Sequence, residues 1–417
     1  MQQDSRVRLI AAGTIGNVLE WYDFAVYGFF AIPIGQTFFS RSDPVAQVLA
    51  AFAVFAVGYV MRPLGGMLTG VIADRYGRRV ALSFSITAMA VPTFLVGLLP
   101  GYATLGIAAA GLLVLLRMIQ GLSVGGEYTT SFTFLIESAL PHRRGLTSAI
   151  ACCSAVAGML LGSGVGTLMA SLLTPEALAD WGWRVPFLLG LLVGVVGYLL
   201  RRHVQDARPP EPARSPLADT FRHHKTLLVR LAFLAAFPAV SFYLMFLYVV
   251  SWLQLVDGIA PARALGINTL AMAALIPVML AAGWLSDRVG RTPPLMAATI
   301  VGIAGAVPFL WLMHHDNDGL ILLGQFGYVL VAGVAIAIAP SLMVEATPAA
   351  VRCTAIAIGY NLAYGVMGGL APVAAAWLVS RTGQDLTPAY MVVAVAALSL
   401  AAVMTFRGIP AYRGELA

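Results

Sequence analysis

Apolar residues in this chain run in long blocks, broken by short segments rich in polar residues, glycine or proline. Each block holds about twenty residues or more, enough to carry a helix across a ~30 Å hydrocarbon core. A half-buried strand or a surface helix would instead show a period of about two or about 3.6 residues. The blocks predict about twelve membrane spans. Spans 1 to 6 cover 9–38, 47–72, 80–99, 105–137, 145–173 and 184–201, and spans 7 to 12 cover 226–255, 263–285, 294–313, 319–344, 351–380 and 387–406. The expected class is an all-α membrane protein.

Composition agrees. The chain of 417 residues is 59% hydrophobic and 11% charged, against roughly 25% charged in soluble domains. Cys152, Cys153 and Cys353 lie in or beside apolar blocks without metal-ligand spacing, so they read as packing residues. The first block carries Glu20 and Asp23 and reads as a retained span, not a cleaved signal peptide. The formal charge of +6 is no nucleic-acid signal, because the basic residues follow topology. With both termini in the cytoplasm, the inner loops collect Arg75, Arg78, Arg79, Arg143, Arg144, Arg201, Arg202, Arg288 and Arg291, while the outer loops keep little beyond Arg41, Arg184, Arg263 and Arg381. The positive-inside rule therefore orients a multi-pass protein in a bacterial cytoplasmic (inner) membrane.

The segment 202–225 is the one long polar, proline-rich stretch. It reads as a cytoplasmic linker between an N-terminal six-helix bundle (1–201) and a C-terminal one (226–417). The halves echo each other. Gly70-Val-Ile-Ala-Asp74-Arg75-Tyr-Gly77-Arg78-Arg79 returns as Gly283-Trp-Leu-Ser-Asp287-Arg288-Val-Gly290-Arg291, and Glu137 through Arg144 pairs with Glu345 through Arg352. Parallel six-span repeats are one architecture by which transporters alternate access.

Charges inside the apolar blocks carry the chemistry. Burying a charge in hydrocarbon costs at least a few kcal/mol, so such residues mark function. At ~1.5 Å per residue, Glu20 and Asp23 lie roughly 14–18 Å from the start of span 1, Arg62 about 18 Å above Asp74, and Glu127 about 15 Å above Glu137. All four fall near the midplane of a ~30 Å core. Arg117 lies about 15 Å further outward on the helix of Glu127. Glu20, Asp23, Phe24 and Tyr27 share one helical face. Glu127, Asp23 and Glu20 are the candidate proton-coupling residues. A carboxylate in a low dielectric binds its proton more tightly, and a nearby arginine opposes this, so alternating exposure to Arg62 or Arg117 and to water would drive proton binding and release. A static buried ion pair is the plain structural reading of the same residues.

Gly16-Asn17-Val-Leu-Glu20-Trp21-Tyr22-Asp23-Phe24, Arg62-Pro63-Leu-Gly65-Gly66, Arg117 through Tyr128, Trp181-Gly-Trp183-Arg184-Val-Pro186-Phe187 and the repeated Asp-Arg-x-Gly-Arg loop together carry a family resemblance. The loops resemble the signature of the major facilitator superfamily. The other stretches resemble its metabolite:proton symporter family, whose members carry proline and glycine betaine, α-ketoglutarate, shikimate or citrate. The resemblance implies the major facilitator fold, with two six-helix pseudo-repeat bundles. It also implies a gating role for the loop residues Asp74, Arg75 and Arg78, with Asp287, Arg288 and Arg291 as a weaker copy. Such a gate would rest on charge-assisted bonds that break as the structure rocks.

The wording around Glu127 looks closest to the proline/betaine branch. The chain ends soon after span 12 with Ala-Tyr-Arg-Gly-Glu-Leu-Ala, without the long coiled-coil tail of some osmosensing members, so osmotic regulation through such a tail is not expected.

The solute contacts expected are Arg62, Arg117, Tyr27, Tyr128, Tyr360, Asn361 and Tyr364. Aromatic faces suit an ammonium group, and arginines suit a carboxylate. The expected activity is proton-coupled symport of a zwitterion such as proline or glycine betaine. The alternatives are symport of an organic acid and, further off, a solute sensor that does not transport. Neither an enzyme nor an ATP-driven pump is expected, since no nucleotide-binding loop is present and Gly-Leu-Ser-Val-Gly lies mid-membrane without a preceding strand. No cofactor, metal or nucleic-acid partner is expected, and a monomer should suffice.

Overall fold

The computed structural model describes residues 17–18, 20–40, 43–66, 68, 78–125, 127–137, 139–201 and 216–406. Among them, nine helices are long and apolar enough to cross a membrane: Pro44–Gly66, Ile107–Val124, Pro141–Leu172, Lys225–Leu255, Pro261–Val289, Thr292–Met313, Asp318–Ala346, Arg352–Thr382 and Thr387–Thr405. They correspond to spans 2, 4, 5 and 7 to 12. Span 6 begins earlier than its apolar block, as Pro175–Gly182 and Arg184–Val196 bent by 48°. Span 3 is the helix Arg78–Leu98. Span 1 is helical over 20–29 and Ala31–Phe38, with a turn at Phe30. Of the linker, 202–215 lie outside the described residues, and Pro216–His223 forms a short helix.

The chain divides into two compact units. The first comprises Met1–Tyr128, Ser154–Pro212 and Ile259–Thr269. Its helices approach through glycine. A Cβ on Gly121 would lie 2.0 Å from the carbonyl oxygen of Gly58, and one on Gly125 only 1.8 Å from that of Arg62, so spans 2 and 4 meet backbone to backbone. Gly158 does the same for span 5 against span 1, where a Cβ would lie 2.3 Å from the carbonyl oxygen of Val18, and a Cβ on Gly162 would lie 2.9 Å from the Ala25 methyl. That is the close packing small residues allow between membrane helices. The Trp181 to Phe187 motif has structural work here. Arg184 donates to the carbonyls of Gly97 and Leu99 at 3.1 and 2.7 Å, capping span 3, while the carbonyl of Pro186 accepts from the Tyr22 hydroxyl at 2.6 Å.

The second unit comprises Thr129–Cys153, Ala213–Gly258 and Leu270–Ala417. Spans 7 and 11 widen from i→i+4 to i→i+5 bonding over Tyr243–Tyr248 and Asn361–Gly368. A Cβ on Gly368 would lie 2.5 Å from the Tyr243 ring, so the two wide segments touch. The Ser399 hydroxyl accepts from the amide of Phe237 at 2.9 Å and donates to the carbonyl of Phe233 at 2.5 Å, serving span 7 just before Pro238.

Candidate functional site

Span 1 brings Asp23 against spans 3 and 4 in the core of the first unit. Asp23 and Arg117 are both fully buried, and Arg117 Nη1 lies 2.6 Å from Asp23 Oδ2. The other carboxylate oxygen accepts from the Thr93 hydroxyl at 2.6 Å and from Gln120 Nε2 at 2.9 Å. Gln120 Nε2 also donates to Thr93 Oγ1 at 2.8 Å. The guanidinium of Arg117 sits 3.9 Å from the centre of the Tyr27 ring and 5.8 Å from that of Phe24. Its Nε and Nη2 have no hydrogen-bond acceptor among the described residues, so these ring faces take that place.

One turn earlier, Glu20 pairs with Arg62 of span 2 at 3.0 Å, both side chains buried. Arg62 lies 5.1 Å from the ring centre of Tyr59, 5.9 Å from Phe24 and 6.0 Å from Trp21. Phe24 is thus the common neighbour of both arginines, placed there by the three- and four-residue spacings of one helix face. Two ion pairs held this deep are costly to desolvate, and each repays the cost only with full hydrogen bonding. The arrangement sets each carboxylate of span 1 against an arginine of another span.

The other expected residues fall as follows. Tyr27 is fully buried and donates to the carbonyl of Ala51 at 3.0 Å. Tyr128 packs edge-on against Trp21 at 5.7 Å. Glu127 opens the helix Glu127–Glu137, and its side chain lies outside the described residues. So do Asp74, Arg75 and the side chain of Arg78.

In the second unit the rings of Tyr360 and Tyr364 stack at 4.2 Å with 9° between planes. They are flanked by Phe132 at 5.6 Å and Tyr243 at 6.4 Å. Asn361 donates to the carbonyl of Ala357, one turn back, at 2.9 Å.

The repeated loop organises a separate charge network in the second unit. Asp287 accepts from the backbone amides of Gly145 and Leu146 at 2.7 and 2.9 Å, at the N-terminus of Arg144–Leu172. A carboxylate there meets unpaired amides and the positive end of the helix dipole. Arg291 bridges Asp287 at 2.6 Å and Glu345 at 3.0 Å. Burial works against the Arg291 charge, but bonds to Glu345 and Asp287 outweigh it and hold its pKa above the ordinary arginine value. Arg288 does not join. Its guanidinium lies 3.6 Å from the centre of the Trp284 ring. Arg352 completes the pattern by pairing with Glu137 at 2.5 Å.

Sequence reasoning passed over Thr93 and Gln120, which touch Asp23 directly. Gln120 had a signal: it lies three residues from Arg117 and so on the same helix face. Thr93, one of four hydroxyl residues in span 3, had none. Glu345, Glu137 and Arg352 were visible as a repeat but carried no assigned role.

A family model described as Major Facilitator Superfamily matches residues 13–372, and the chain belongs to that superfamily. It is 35% identical over 415 residues to the glycine betaine/proline/ectoine/pipecolic acid transporter OusA of Dickeya dadantii, covering 95% of this chain and 82% of the relative. It is 32% identical over 422 residues to the proline/betaine transporter of Escherichia coli (strain K12), covering 97% and 84%. The resemblance to the proline/betaine branch is borne out by these relatives. Among solved structures, the proton:xylose symporter XylE bound to 6-bromo-6-deoxy-D-glucose superposes with a TM-score of 0.75 at 18% identity, covering 97% of this chain and 96% of the other. That likeness is one of fold. The protein is a multi-pass membrane transporter of a small solute, with bacterial relatives.

Proposed function

We propose that the chain is a proton-coupled symporter that imports a zwitterion such as proline or glycine betaine by alternating access. The observation that carries this reading is the fully buried Asp23–Arg117 pair at 2.6 Å, a titratable acid kept in the apolar core with its own cation. Intramembrane acids of this kind mark proton relays. Glu20 with Arg62 and, on sequence grounds, Glu127 extend the same chemistry along spans 1, 2 and 4. Protonation of Asp23 would remove the charge that holds Arg117, and a freed guanidinium is the group a solute carboxylate needs. Tyr360 and Tyr364 of the second unit keep the solute-contact role expected from the sequence, since aromatic faces suit an ammonium group.

The names of the relatives support the zwitterion class. The Asp287–Arg291–Glu345 and Glu137–Arg352 contacts serve as a gate in this reading, with Asp74, Arg75 and Arg78 as its counterpart in the first repeat. The two six-helix bundles, 1–201 and 226–417, would rock with both termini in the cytoplasm. The proton gradient supplies the drive without a cofactor, and one copy suffices.

Uptake of labelled proline or glycine betaine into proteoliposomes tests this. An imposed inward proton gradient should concentrate the solute, and a protonophore should abolish the accumulation. Accumulation that ignores the protonophore and requires Na⁺ overturns the proposal.

A further inference from the structure

The Thr93 hydroxyl has one hydrogen and two acceptors within reach. Asp23 Oδ1 lies 2.6 Å away and the carbonyl oxygen of Met89, one turn back on span 3, lies 2.8 Å away. A bond from a helical threonine to the carbonyl four residues back is ordinary. Thr133, Thr299 and Thr347 make it at 2.7 Å, to Thr129, Leu295 and Met343. Thr93 differs in reaching a buried carboxylate at the same time. Its oxygen also accepts from Gln120 Nε2 at 2.8 Å, which leaves it one further acceptor position.

All three groups that reach the Asp23 carboxylate, from Arg117, Thr93 and Gln120, act as donors toward it. This set suits the anion, and an added Asp23 O–H needs an acceptor. Two are at hand: Thr93 Oγ1, and Gln120 Oε1, which is buried with no partner among the described residues. The remaining charged or titratable neighbours are Tyr22 and Tyr27 on the helix of Asp23, with the Glu20–Arg62 pair one turn away beyond Phe24.

We infer that Thr93 is a positioning residue for the coupled proton, its hydroxyl donating to the Asp23 carboxylate and, once Oδ1 is protonated, turning to the Met89 carbonyl and accepting the new O–H. The proton comes from water and leaves to water. Only the O–H bond on Asp23 forms and breaks, and a hydroxyl rotation replaces any movement of heavy atoms. Both protonation states then keep their hydrogen bonds inside hydrocarbon, where an unmet one is costly. The inference rests on the reading that Asp23 carries the coupled proton.

The test is the pH profile of gradient-driven uptake for Thr93→Val and Thr93→Ser beside Asp23→Asn. A bond to the anion is roughly twice as strong as one to the neutral acid. Removing the hydroxyl should therefore move the midpoint of the profile upward by roughly half to one pH unit, and Ser should restore it. A Val variant with the wild-type midpoint overturns the inference while leaving the symport reading intact. Proton-driven accumulation that survives in Asp23→Asn overturns that reading, and the inference with it. Should Val not fold, pH-difference infrared spectroscopy of Gln120→Leu, which removes the other acceptor and leaves Thr93 Oγ1, decides. The Asp23 acid band, assigned by its loss in Asp23→Asn, must show a hydrogen-bonded O–H donor, and the band of a free acid overturns the inference.

Discussion

Glu20 and Asp23 lie three residues apart on one helix, yet each engages an arginine from a different span, Arg62 at 3.0 Å and Arg117 at 2.6 Å. Both guanidinium groups lie beside Phe24, 5.9 and 5.8 Å from its ring centre. The pairs are therefore neighbours without sharing a partner. In the proposed mechanism a proton on Asp23 would free Arg117 and leave Glu20 with Arg62. Each pair can therefore be tested one residue at a time.

Arg117→Gln should destabilise the protein more than the double variant Asp23→Asn/Arg117→Gln. Removing one member of a buried pair leaves an uncompensated charge, at a cost of about 3–5 kcal/mol, whereas removing both leaves only polar groups. Thermal unfolding in detergent gives the order. A double variant less stable than Arg117→Gln would mean that the pair itself, and not the stranded charge, sets the stability.

Glu127→Gln mimics a permanently protonated acid. Concentrative uptake should disappear, since proton release can no longer accompany solute release, while solute-for-solute counterflow should persist in part. A well-folded variant with unchanged pH dependence would remove Glu127 from the mechanism and move the coupling role to Asp23.

Gly125→Ala should impair folding, because its new Cβ would fall 1.8 Å from the carbonyl oxygen of Arg62 and 2.3 Å from the amide nitrogen of Gly66. Overpacking of this kind costs about 1–3 kcal/mol or more. It would also push apart the spans that carry Arg62 and Arg117. Gly111→Ala meets nothing within 4 Å and should be neutral, or stabilising by up to about 1 kcal/mol. Expression and monodispersity of the two variants check the contrast.

Asp287→Asn should shift the balance between conformations with solute binding largely kept. The carboxylate serves two amides of Arg144–Leu172 and also Arg291, so the amide variant gives up the charge and one acceptor. Arg288→Gln should do much less, because Arg288 rests on Trp284 and not on this network. Cysteine-labelling rates with and without solute measure the balance. Equal effects of the two variants would argue against the gate.

Asp257, in the loop after span 7, has its carboxyl pKa raised above the ordinary value by burial, with His314 and its hydrogen bond pulling the other way. A carboxyl whose folded pKa lies above its unfolded one contributes stability below the unfolded pKa, and that contribution is lost as pH rises through the folded pKa. The stability advantage of Asp257→Asn over the wild type should therefore grow as pH rises from about 4. Melting temperatures across that range check the sign, and a gap that narrows with pH would reverse it.

Much of the fold was legible in the sequence. Block length alone predicts the spans, because a helix in hydrocarbon must satisfy its backbone within itself and needs about twenty apolar residues to cross. The blocks missed the early start of span 6, where Pro175 follows the capping Thr174 and begins a helix before the apolar run does. The acids and arginines of the core were legible too, since charge stands out in an apolar run. Which acid meets which arginine was not. Asp23 and Arg117 are 94 residues apart, and the spacing within each helix leaves Arg62 and Arg117 as equal partners for either acid. Nor could the repeat choose between Arg288 and Arg291, which carry the same side chain three residues apart. The direction each takes from its helix end decides that one meets two carboxylates and the other an indole ring. The apolar pattern by itself determined the helices and their charged cargo, because hydrocarbon imposes the same rule on every span. The pairing of those charges, and the hydroxyl and amide of Thr93 and Gln120 that complete the Asp23 site, were decided only when separate helices packed, because hydrogen bonds depend on positions that no one helix contains.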